Sequence, residues 1–586
     1  MRCWGRVQRP ERRQENGCGG HSRQKFSFLR LLQLVNSRSR NESSESGIPV
    51  YLSILSCQTE HSNRKDEPGN EMNGAESLIR TLVAGGIDTC FANPGTSEIH
   101  LVAALDRVPE MRSILGLFEG VVTGAADGYA RMTEKPACTL LHLGPGLANG
   151  LANLHNAYRA HVPIVNIVGQ HATFHLRHDT PLTSDIEGIA RPYSKWVRSS
   201  ASVGVVGENA AEAVVGARTS PGQIATLIVP ADVSWSEGAG VGTERAIPPA
   251  PVPSSESIDR AAEMLRSGKR TALLLAGKAL YGRGLRIAAR VAEATGASLL
   301  SPYPFTRMER GAGVPSVERI AYILEQAKEQ LSQFQQLILI GARPPVAYFA
   351  YPGKDSVLTP RECEIHTLAG PDQDLIGGLS GLAASLSLAD SGTSKTVRLE
   401  RAQPPSGELT LQGVSAVIGA LIPENAVLVE ESMTSGRGLM PATRNAPPHD
   451  WLGNTGGSIG IALPLAVGAA VAAPERRVLC LTADGSAMYT PQALWTMARE
   501  QLKITTVVFA NRSYAVLKRE FSYLGIGEPG QQAKEMFEIG RPDLDWVQLA
   551  KGMGVPGCRV TSLDDLAKAL RAGFENEGPS LIEIPL

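Results

Sequence analysis

Two segments near the carboxyl terminus place oxygen-bearing groups where a metal ion could hold a diphosphate. Asp484 follows the apolar run 478–481, and Asn511 follows the apolar run 504–509. Both runs predict buried parallel strands, and open α/β sheets bind ligands at the carboxyl ends of such strands. Asp484, Asn511 and the backbone carbonyl of Ser513 would offer oxygen ligands to a magnesium-sized ion. The other interpretation is that Asp484 and Asn511 only cap turns.

A glutamate and a histidine in the first half of the chain are candidates for proton transfer. Glu119 opens the small-residue segment 119–131, which predicts a helix that can pack closely. His142 follows the apolar run 137–141 and precedes Gly-Pro-Gly at 144–146, which predicts a strand end beside a turn that admits a ligand. A histidine there can bind a carboxylate and pass protons. Two structural alternatives stay open: Glu119 stabilises a helix N-terminus, and His142 satisfies a loop carbonyl.

These segments resemble those of thiamine diphosphate (ThDP) enzymes. Segment 482–486, closed by Asn511, resembles the family's diphosphate-binding signature, although Ala483 stands where that signature has glycine. Segment 117–131 resembles the pyrimidine-side helix, whose glutamate, here Glu119, activates the cofactor's aminopyrimidine ring. The resemblance implies ThDP and Mg²⁺ as cofactors. It implies cofactor or metal contacts from Asp484, Gly485, Ser486, Asn511 and Ser513.

The remaining motifs in the first half resemble two subfamilies. Segment 90–98 resembles the Asn-Pro-Gly-Ser loop of benzoylformate decarboxylase, with Thr96 in place of the serine. By the same resemblance, His142 stands at the position of a catalytic histidine. The Gly-Pro-Gly at 144–146 and the Gly-Gln at 169–170 instead resemble acetolactate synthases. The implied catalytic residues are Glu119, His142 and Thr96.

The glycine-rich segment 454–464 resembles the turn that receives the cofactor's aminopyrimidine ring. By that resemblance Gly457 would offer its carbonyl to the 4′-amino group, and Ile459 would wedge between the two rings of the cofactor. The alternative is an ordinary strand-to-helix turn with Ile459 in the core. Segment 430–434, which ends at Thr434, is a further strand-end loop predicted to reach the cofactor.

The resemblance leaves the reaction product open. Benzoylformate decarboxylase has a second active-site histidine in its middle domain, whereas segment 345–352 has Phe349 there, which favours carboligation over aldehyde release. We therefore expect ThDP- and Mg²⁺-dependent decarboxylation of a 2-oxo acid, with carboligation as in acetolactate synthase or aldehyde release as in benzoylformate decarboxylase. Segment 277–284 lacks a full G-x-G-x-x-G, so bound FAD is not favoured. An FAD-containing enzyme similar to pyruvate oxidase and a catalytically idle ThDP-binding subunit remain alternatives.

Composition excludes several classes of protein. The chain has 57 Lys and Arg against 58 Asp and Glu, so no basic surplus supports binding to nucleic acid. No apolar stretch approaches the length of about 18 residues that a membrane span needs. The eight cysteines are scattered without a C-x-x-C pair, which indicates reduced thiols and a cytoplasmic location.

The alternation of helices and strands predicts an α/β protein with three doubly wound parallel-sheet domains. The predicted pyrimidine-binding domain spans residues 72–240, the central domain 254–392 and the diphosphate-binding domain 406–586. Residues 1–71 are rich in Arg, Ser, Asn and Gln and predict a disordered extension, or a segment upstream of a start at Met72. The family resemblance implies a homodimer or homotetramer whose active sites lie at the subunit interface.

Overall fold

The computed structural model of the protein describes residues 72–389 and 394–586. The extension predicted over residues 1–71 lies outside the described residues. Three parallel or mostly parallel sheets with helices packed on them confirm the predicted α/β class. The exact domain boundaries stay predictions. Across the described ranges, no helix is both long and apolar enough to cross a lipid bilayer.

The first sheet is built from six strands of the amino-terminal part of the chain. They are β1 Thr89–Asn93, β2 Arg112–Leu115, β3 Ala137–Leu141, β4 Ile164–Gln170, β5 Ser194–Ser199 and β6 Ile224–Pro230. The helices of this part are α1 Gly74–Ala84, α2 Ile99–Arg107, α3 Glu119–Thr133, α4 Leu143–Ala160, α5 Ile186–Ala190, α6 Val206–Arg218 and α7 Ala231–Trp235. All strands run parallel in the order β2-β1-β3-β4-β6-β5. The carboxyl ends of β1, β3 and β4 therefore lie side by side.

The second sheet contains most strands of the middle of the chain. The strands of this part are β7 Thr271–Leu275, β8 Ser298–Ser301, β9 Arg307–Arg310, β10 Glu318–Arg319, β11 Gln336–Ile340 and β12 Glu364–Ala369. Its helices are α8 Ser255–Arg266, α9 Gly282–Thr295, α10 Leu324–Ser332 and α11 Leu375–Ser385. The sheet is parallel in the order β10-β8-β7-β11-β12. Strand β9 is not part of it.

The third sheet is formed mainly by the carboxyl-terminal part. Its own strands are β13 Ala426–Glu431, β14 His449–Gly453, β15 Val478–Ala483, β16 Ile504–Ala510, β17 Gly557–Arg559 and β18 Ser580–Pro585. The helices are α12 Leu411–Leu421, α13 Leu439–Ala442, α14 Ala462–Ala472, α15 Asp484–Ala487, α16 Ala493–Arg499, α17 Ala515–Leu524, α18 Gln531–Phe537, α19 Trp546–Gly552 and α20 Leu563–Glu575. The strand order is β17-β18-β16-β15-β13-β14-β9.

Strand β9 joins the second and third parts of the chain. It lies within the middle of the sequence but pairs antiparallel with β14 at the edge of the third sheet. Arg307 on β9 also forms an ion pair with Asp450 on β14, with Nε 2.8 Å from Oδ1. The polar sequence of β9 gave no sign of this pairing, because sequence patterns do not show which sheet a short strand joins.

Helices α3 and α14 bring the first and third sheets together. Both helices are buried on nearly every face. A Cβ on Gly128 would lie 2.2 Å from the carbonyl oxygen of Leu465, and a Cβ on Gly468 would lie 1.9 Å from that of Ala125. The backbones thus approach too closely for larger side chains, which confirms the close packing predicted for segment 119–131. This contact fixes Glu119 relative to the third sheet.

Candidate active site

The predicted diphosphate-binding residues lie at adjoining strand ends of the third sheet. Asp484 directly follows β15 and Asn511 directly follows β16, and these two strands are parallel neighbours. Asp484 is buried; its Oδ2 accepts the backbone N–H of Arg512 at 2.7 Å and its Oδ1 accepts that of Gly485 at 2.8 Å. Burial raises the pKa of Asp484, and the backbone N–H bonds and Arg512 oppose that shift. The carboxylate is therefore fixed within both loops.

The loop after β16 adds further oxygen atoms. Asn511 Oδ1 accepts the N–H of Ser513 at 3.0 Å. The hydroxyl of Ser513 is buried and has no hydrogen-bond partner among the described residues. A hydroxyl oxygen can accept a further contact, so this atom is available to a ligand. The Asp484 carboxylate, the Asn511 amide and the predicted backbone carbonyl of Ser513, with its hydroxyl as a further oxygen, fit the oxygen-ligand preference of Mg²⁺. Within the described ranges, no three or more His, Cys, Asp or Glu side chains lie together as a metal site. The predicted site is not a cluster of that kind, because Asp484 is its only donor of these four residue types.

The other predicted diphosphate contacts also lie in this loop. Ser486 is buried in the short helix α15. A Cβ on Gly485 would lie 2.6 Å from the ring of Tyr514, so only glycine lets these two loops approach. Thr434 is half-buried in the loop after β13, beyond the exposed Met433.

Three non-glycine residues just after strand ends of the site have left-handed backbone. They are Leu143 (φ 52°) after β3, Met433 (φ 52°) after β13 and Arg512 (φ 54°) after β16. Such residues cost about 1–3 kcal/mol each and persist where surrounding contacts hold them. In the case of Arg512, the contact is the bond from its N–H to Asp484. Three of the nine non-glycine residues with left-handed backbone in the described structure therefore lie at strand ends of the site.

A buried glutamate holds the glycine-rich loop in place. Glu431, the last residue of β13, accepts the N–H groups of Gly460 and Ala462 at 3.1 Å and the side-chain amide of Asn454 at 2.9 Å. Burial raises the pKa of Glu431 to about 7, and these N–H donors oppose the shift. Because Ala462 begins α14, the carboxyl also lies at that helix N-terminus. Sequence reasoning named the 430–434 loop but not this role.

Two predicted cofactor residues lie in the loop that Glu431 holds. Gly457 is exposed and has φ 78°, a backbone conformation that residues other than glycine rarely adopt. The hydroxyl of Tyr348 lies 1.9 Å from where a Cβ on Gly457 would be, so segment 345–352 reaches this loop. Ile459 is half-buried and belongs to none of the hydrophobic clusters of the described residues. An isoleucine outside the core leaves its side chain available to a ligand.

Glu119 is the first residue of α3 and is buried. Asn149 on α4 donates its side-chain amide to Glu119 Oε2 at 3.0 Å. The second carboxyl oxygen, Oε1, accepts no hydrogen bond within the described part of the chain. Gly146 leaves it room, because a Cβ there would lie only 3.2 Å from Oε1. Glu119 is therefore oriented by one oxygen and available through the other.

His142 lies at the end of β3, as predicted, but the Gly-Pro-Gly after it forms the first turn of α4 rather than a separate turn. Its Nδ1 lies 2.7 Å from Glu98 Oε2 and 3.3 Å from Ser97 Oγ. Thr96 is exposed and has no side-chain hydrogen bond in the described structure. The hydroxyl beside His142 is thus that of Ser97, and both Ser97 and Glu98 were missed. Their signal was a glutamate three residues after Gly95, the spacing at which a glutamate side chain reaches back to the N–H group before a helical turn.

The glycine-rich loop also contacts α4 of the same chain. Asn156 donates to the carbonyl of Ser458 at 2.8 Å, and His155 Nε2 lies 3.1 Å from that of Gly456. Below this loop, Arg131 donates to the carbonyl of Gly453 at 2.7 Å. The first and third parts of the chain therefore share one network of polar contacts at the base of the predicted pyrimidine site.

A separate cavity of about 1060 Å³ opens beside the second sheet. Its wall includes Gly277 after β7 and Gly341 after β11. The strand order changes direction between β7 and β11, and α/β sheets bind ligands at such switch points. Basic side chains on the wall include Arg131, Arg159, Lys278, Arg307 and Arg343. Glu134 and Asp374 also line the wall, and Arg131, Lys278 and Arg307 already form ion pairs with Asp127, Glu134 and Asp450, so the wall carries mixed charge.

Two family models match the parts of the chain that carry these sites. Residues 72–188 match the N-terminal TPP (thiamine pyrophosphate) binding domain of thiamine pyrophosphate enzymes, and residues 436–584 match their C-terminal TPP binding domain. The chain is 52% identical over 515 residues to a putative acetolactate synthase large subunit, IlvX, of Mycobacterium tuberculosis, covering 88% of this chain and 99% of the relative. It is 27% identical over 526 residues to benzoylformate decarboxylase of Pseudomonas aeruginosa, covering 85% and 96%.

Solved structures share the fold. A thiamine diphosphate-dependent 4-hydroxybenzoylformate decarboxylase of Rhodococcus jostii superposes with a TM-score of 0.74 at 24% identity, covering 87% of this chain and 98% of that one. Benzoylformate decarboxylase of Polynucleobacter necessarius superposes with a TM-score of 0.75 at 22% identity, covering 88% and 98%. With the matched binding domains and the 52% identical relative, the chain belongs to the family of thiamine diphosphate-dependent enzymes.

Proposed function

We propose that the protein is a ThDP- and Mg²⁺-dependent enzyme that decarboxylates a 2-oxo acid, followed by carboligation or aldehyde release. The observation that carries the proposal is the buried carboxyl of Glu119, which one amide orients and whose Oε1 is left open. Gly146 leaves space beside this oxygen, where the N1′ nitrogen of a bound aminopyrimidine ring could meet it. The relatives named acetolactate synthase and benzoylformate decarboxylase support both outcomes.

Four residues would contact the aminopyrimidine and thiazolium rings of ThDP. When bound, ThDP supplies an electron sink that stabilises the electron pair left on the substrate carbon as carbon dioxide departs. Glu119 would share a proton with the aminopyrimidine nitrogen N1′, and Gly457 would accept a hydrogen bond from the 4′-amino group through its carbonyl. Ile459 would hold the two rings apart, and Thr434 would line the ring site.

The remaining residues bind the charged part of the cofactor and the substrate. Asp484, Asn511 and Ser513 would hold Mg²⁺, with Gly485 and Ser486 at the diphosphate. His142 would deliver the proton that replaces carbon dioxide in an aldehyde product, and Thr96 would hydrogen-bond to the substrate. Phe349 is half exposed and packs on Tyr348 beside the Gly457 loop, where it would exclude water and favour carboligation.

The contacts along α4 support an active site shared by two protomers. Glu119 contacts Asn149, whereas the loop of Gly457 contacts Asn156 of the same helix. Seven residues of α-helix span about 10 Å. Glu119 and Gly457 would contact the same aminopyrimidine ring, at N1′ and at the 4′-amino group, and these two atoms are much closer together than that. The Glu119 of one protomer would therefore share a ring with the Gly457 of its partner. We therefore propose a homodimer or a homotetramer built from such dimers.

Exposed apolar side chains next to both motifs agree with a missing partner. Leu117, two residues before Glu119, is 45% exposed, and Met488 and Tyr489, just after the Asp484 loop, are 41% and 53% exposed. Large apolar groups clustered at the surface mark interaction sites. Sedimentation of the purified protein with ThDP and Mg²⁺ tests this, and a monomer that is fully active would contradict the shared site.

Two substitutions test the proposed chemistry. We expect Glu119→Gln to lower 2-oxo acid turnover at least about 100-fold while ThDP still binds, because the open oxygen no longer shares a proton. We expect Asp484→Ala to lose both metal and cofactor, measured by Mn²⁺ binding and by quenching of tryptophan fluorescence on ThDP addition. Glu263→Gln, at an exposed position on α8, is the control. Full turnover by the Glu119→Gln protein would refute the mechanism.

The cavity beside the second sheet favours one further candidate, an FAD-containing enzyme similar to pyruvate oxidase. The cavity lies at a switch point of the second sheet, where Arg159 and Arg343 on its wall would meet the diphosphate of a dinucleotide. Against this, the segment after β7 has no G-x-G-x-x-G. A colourless purified protein without flavin absorption would exclude it, and oxygen uptake with a 2-oxo acid would support it.

Two further proposals concern activity and location. A catalytically idle ThDP-binding subunit would bind ThDP without turnover of any 2-oxo acid, so a screen of pyruvate and of branched, aromatic and acidic 2-oxo acids decides between these cases.

We also propose a cytoplasmic location. All cysteines in the described ranges are free thiols, as in reducing compartments, and fractionation of cells tests this.

A further inference from the structure

The carboxylate of Glu98 and the imidazole of His142 form a close pair whose role goes beyond the cofactor contacts above. We propose that Glu98 is a positioning residue that fixes His142 in the tautomer with Nδ1 protonated, so that Nε2 delivers the proton to the carbon that loses carbon dioxide. The inference rests on the proposed function, which it deepens by assigning how His142 is prepared.

The carboxylate of Glu98 is held from three sides. It is fully buried, its Oε2 accepts the N–H of Gly95 at 2.8 Å, and its Oε1 accepts the hydroxyl of Ser97 at 2.7 Å. Oε2 also lies 2.7 Å from His142 Nδ1. A carboxylate fixed by two other donors cannot rotate away from the imidazole. Since a carboxylate only accepts hydrogen bonds, Nδ1 must carry the hydrogen.

Two glycines provide the space for this pair. A Cβ on Gly169 would lie 1.6 Å from Glu98 Oε1, and a Cβ on Gly95 would lie 2.3 Å from His142 Nδ1. The glycines and His142 belong to the ends of the neighbouring strands β1, β3 and β4. The ends of β1 and β4 thus provide glycines that leave space for the contact, and the end of β3 provides the imidazole. A glutamate that only capped the turn at residues 95–98 would need neither Gly169 nor His142.

The other face of the imidazole is free to react. No hydrogen bond in the described structure engages His142 Nε2, and the side chain is 22% exposed. With Nδ1–H held by Glu98, Nε2 is the atom that can take up and release a proton. The protonated imidazole gives its Nε2 proton to the carbon that keeps the electron pair when carbon dioxide leaves. A C–H bond forms, the imidazole becomes neutral with Nδ1–H still on Glu98, and water restores the proton.

The net reaction converts a 2-oxo acid and one proton into an aldehyde and carbon dioxide. Carboligation does not need that proton at the same carbon, because a second carbonyl takes the electron pair. The dyad therefore governs the share of aldehyde among the products. A role limited to holding the loop would lower both products together.

The first test compares products of Glu98→Gln with those of the control Glu263→Gln. We expect aldehyde formation to fall about 10- to 100-fold while ThDP binding stays the same as in the control, because Glu98 contacts His142 and its own loop. The ratio of ligated product to aldehyde should rise. Adding His142→Asn to Glu98→Gln should cost nothing beyond His142→Asn alone, because both act through one proton transfer. An unchanged product ratio, or losses that multiply, would overturn the proposal.

The second test needs no substitution at Glu98 and no turnover. Nitrogen NMR of protein labelled with ¹⁵N-histidine, with His142 identified by its absence in His142→Asn, reports which ring nitrogen carries hydrogen. We expect a protonated Nδ1, and an unprotonated Nδ1 would overturn the dyad. If the unmodified protein forms no product from any 2-oxo acid, the proposed function and the proton delivery both fail, while the NMR result still confirms or overturns the pair.

Discussion

A buried ion pair on α3 gives the sharpest test of how the chain is held together. Arg131 Nε lies 2.7 Å from Asp127 Oδ1, Nη2 lies 2.7 Å from Oδ2, and both side chains are fully buried. Arg131 also donates to the carbonyl oxygens of Thr306 and Gly453 and to the hydroxyl of Thr455, so one guanidinium connects all three sequence blocks. Asp127→Asn would leave this guanidinium buried without a counter-charge.

The chain offers a matched control with the same helical spacing. Arg191 and Glu187 are also four residues apart, with Nη2 2.6 Å from Oε2, but their side chains are 64% and 42% exposed. Removing one partner of a buried pair costs about 3–5 kcal/mol. Removing one partner of an exposed pair costs about 0.3–0.5 kcal/mol. We therefore expect Asp127→Asn to lower the free energy of unfolding about tenfold more than Glu187→Gln.

The assay is guanidinium unfolding followed by tryptophan fluorescence, with each variant compared with the unmodified protein. Replacing both partners, as in Asp127→Leu with Arg131→Met, should be less destabilising than Asp127→Asn alone, because no unpaired charge then stays buried. Equal midpoints for Asp127→Asn and Glu187→Gln would refute the reasoning.

Three other predictions follow from single positions. Gly169→Ala should displace the Glu98 carboxyl and lower the unfolding free energy by about 1–3 kcal/mol, whereas Gly204→Ala, where a Cβ meets nothing within 4 Å, should be nearly neutral in the same denaturation assay. Gly128→Ala should push α3 away from α14 and lower the thermal midpoint, and an unchanged midpoint would contradict the close helix contact. Burial raises the pKa of Glu431 to about 7 from the ordinary 4.5, so the folded state binds the proton more tightly than the unfolded state does. The free energy of unfolding should therefore fall by about 3 kcal/mol as the pH rises from 4.5 to about 7. Glu431→Gln should remove this pH dependence when unfolding is measured at several pH values.

The strand ends of the site could be predicted because the strands before them are buried on both faces and read as continuous apolar runs. Asp484, Asn511 and His142 each follow such a run, and each lies at the strand end that the run predicts. The small residues after Glu119 predicted a closely packed helix, and the resemblance to the family's pyrimidine-side helix singled out Glu119 itself. The sequence does not show which chain supplies the facing half of the site, so the roles of these residues stay predictions.

The positioning residues were harder to predict, because their partners are distant in sequence. Glu431 accepts bonds from a loop about 30 residues later, and Arg131 reaches residues more than 300 positions away. Asp127 and Arg131 have the spacing of an ordinary solvated ion pair. Only the rest of α3 indicates that this pair is buried, because most other residues of the helix are small or apolar.

Strand β9 has a consequence for any attempt to divide the protein. It covers the edge of the third sheet by pairing four residues, Arg307–Arg310, with β14. A fragment of residues 406–586 would expose β14 as an unprotected edge, a common starting point for aggregation. A protease cut between β12 and α12 should instead leave two pieces that stay associated. Co-expression of residues 72–389 with residues 394–586 should therefore restore solubility to the carboxyl-terminal piece.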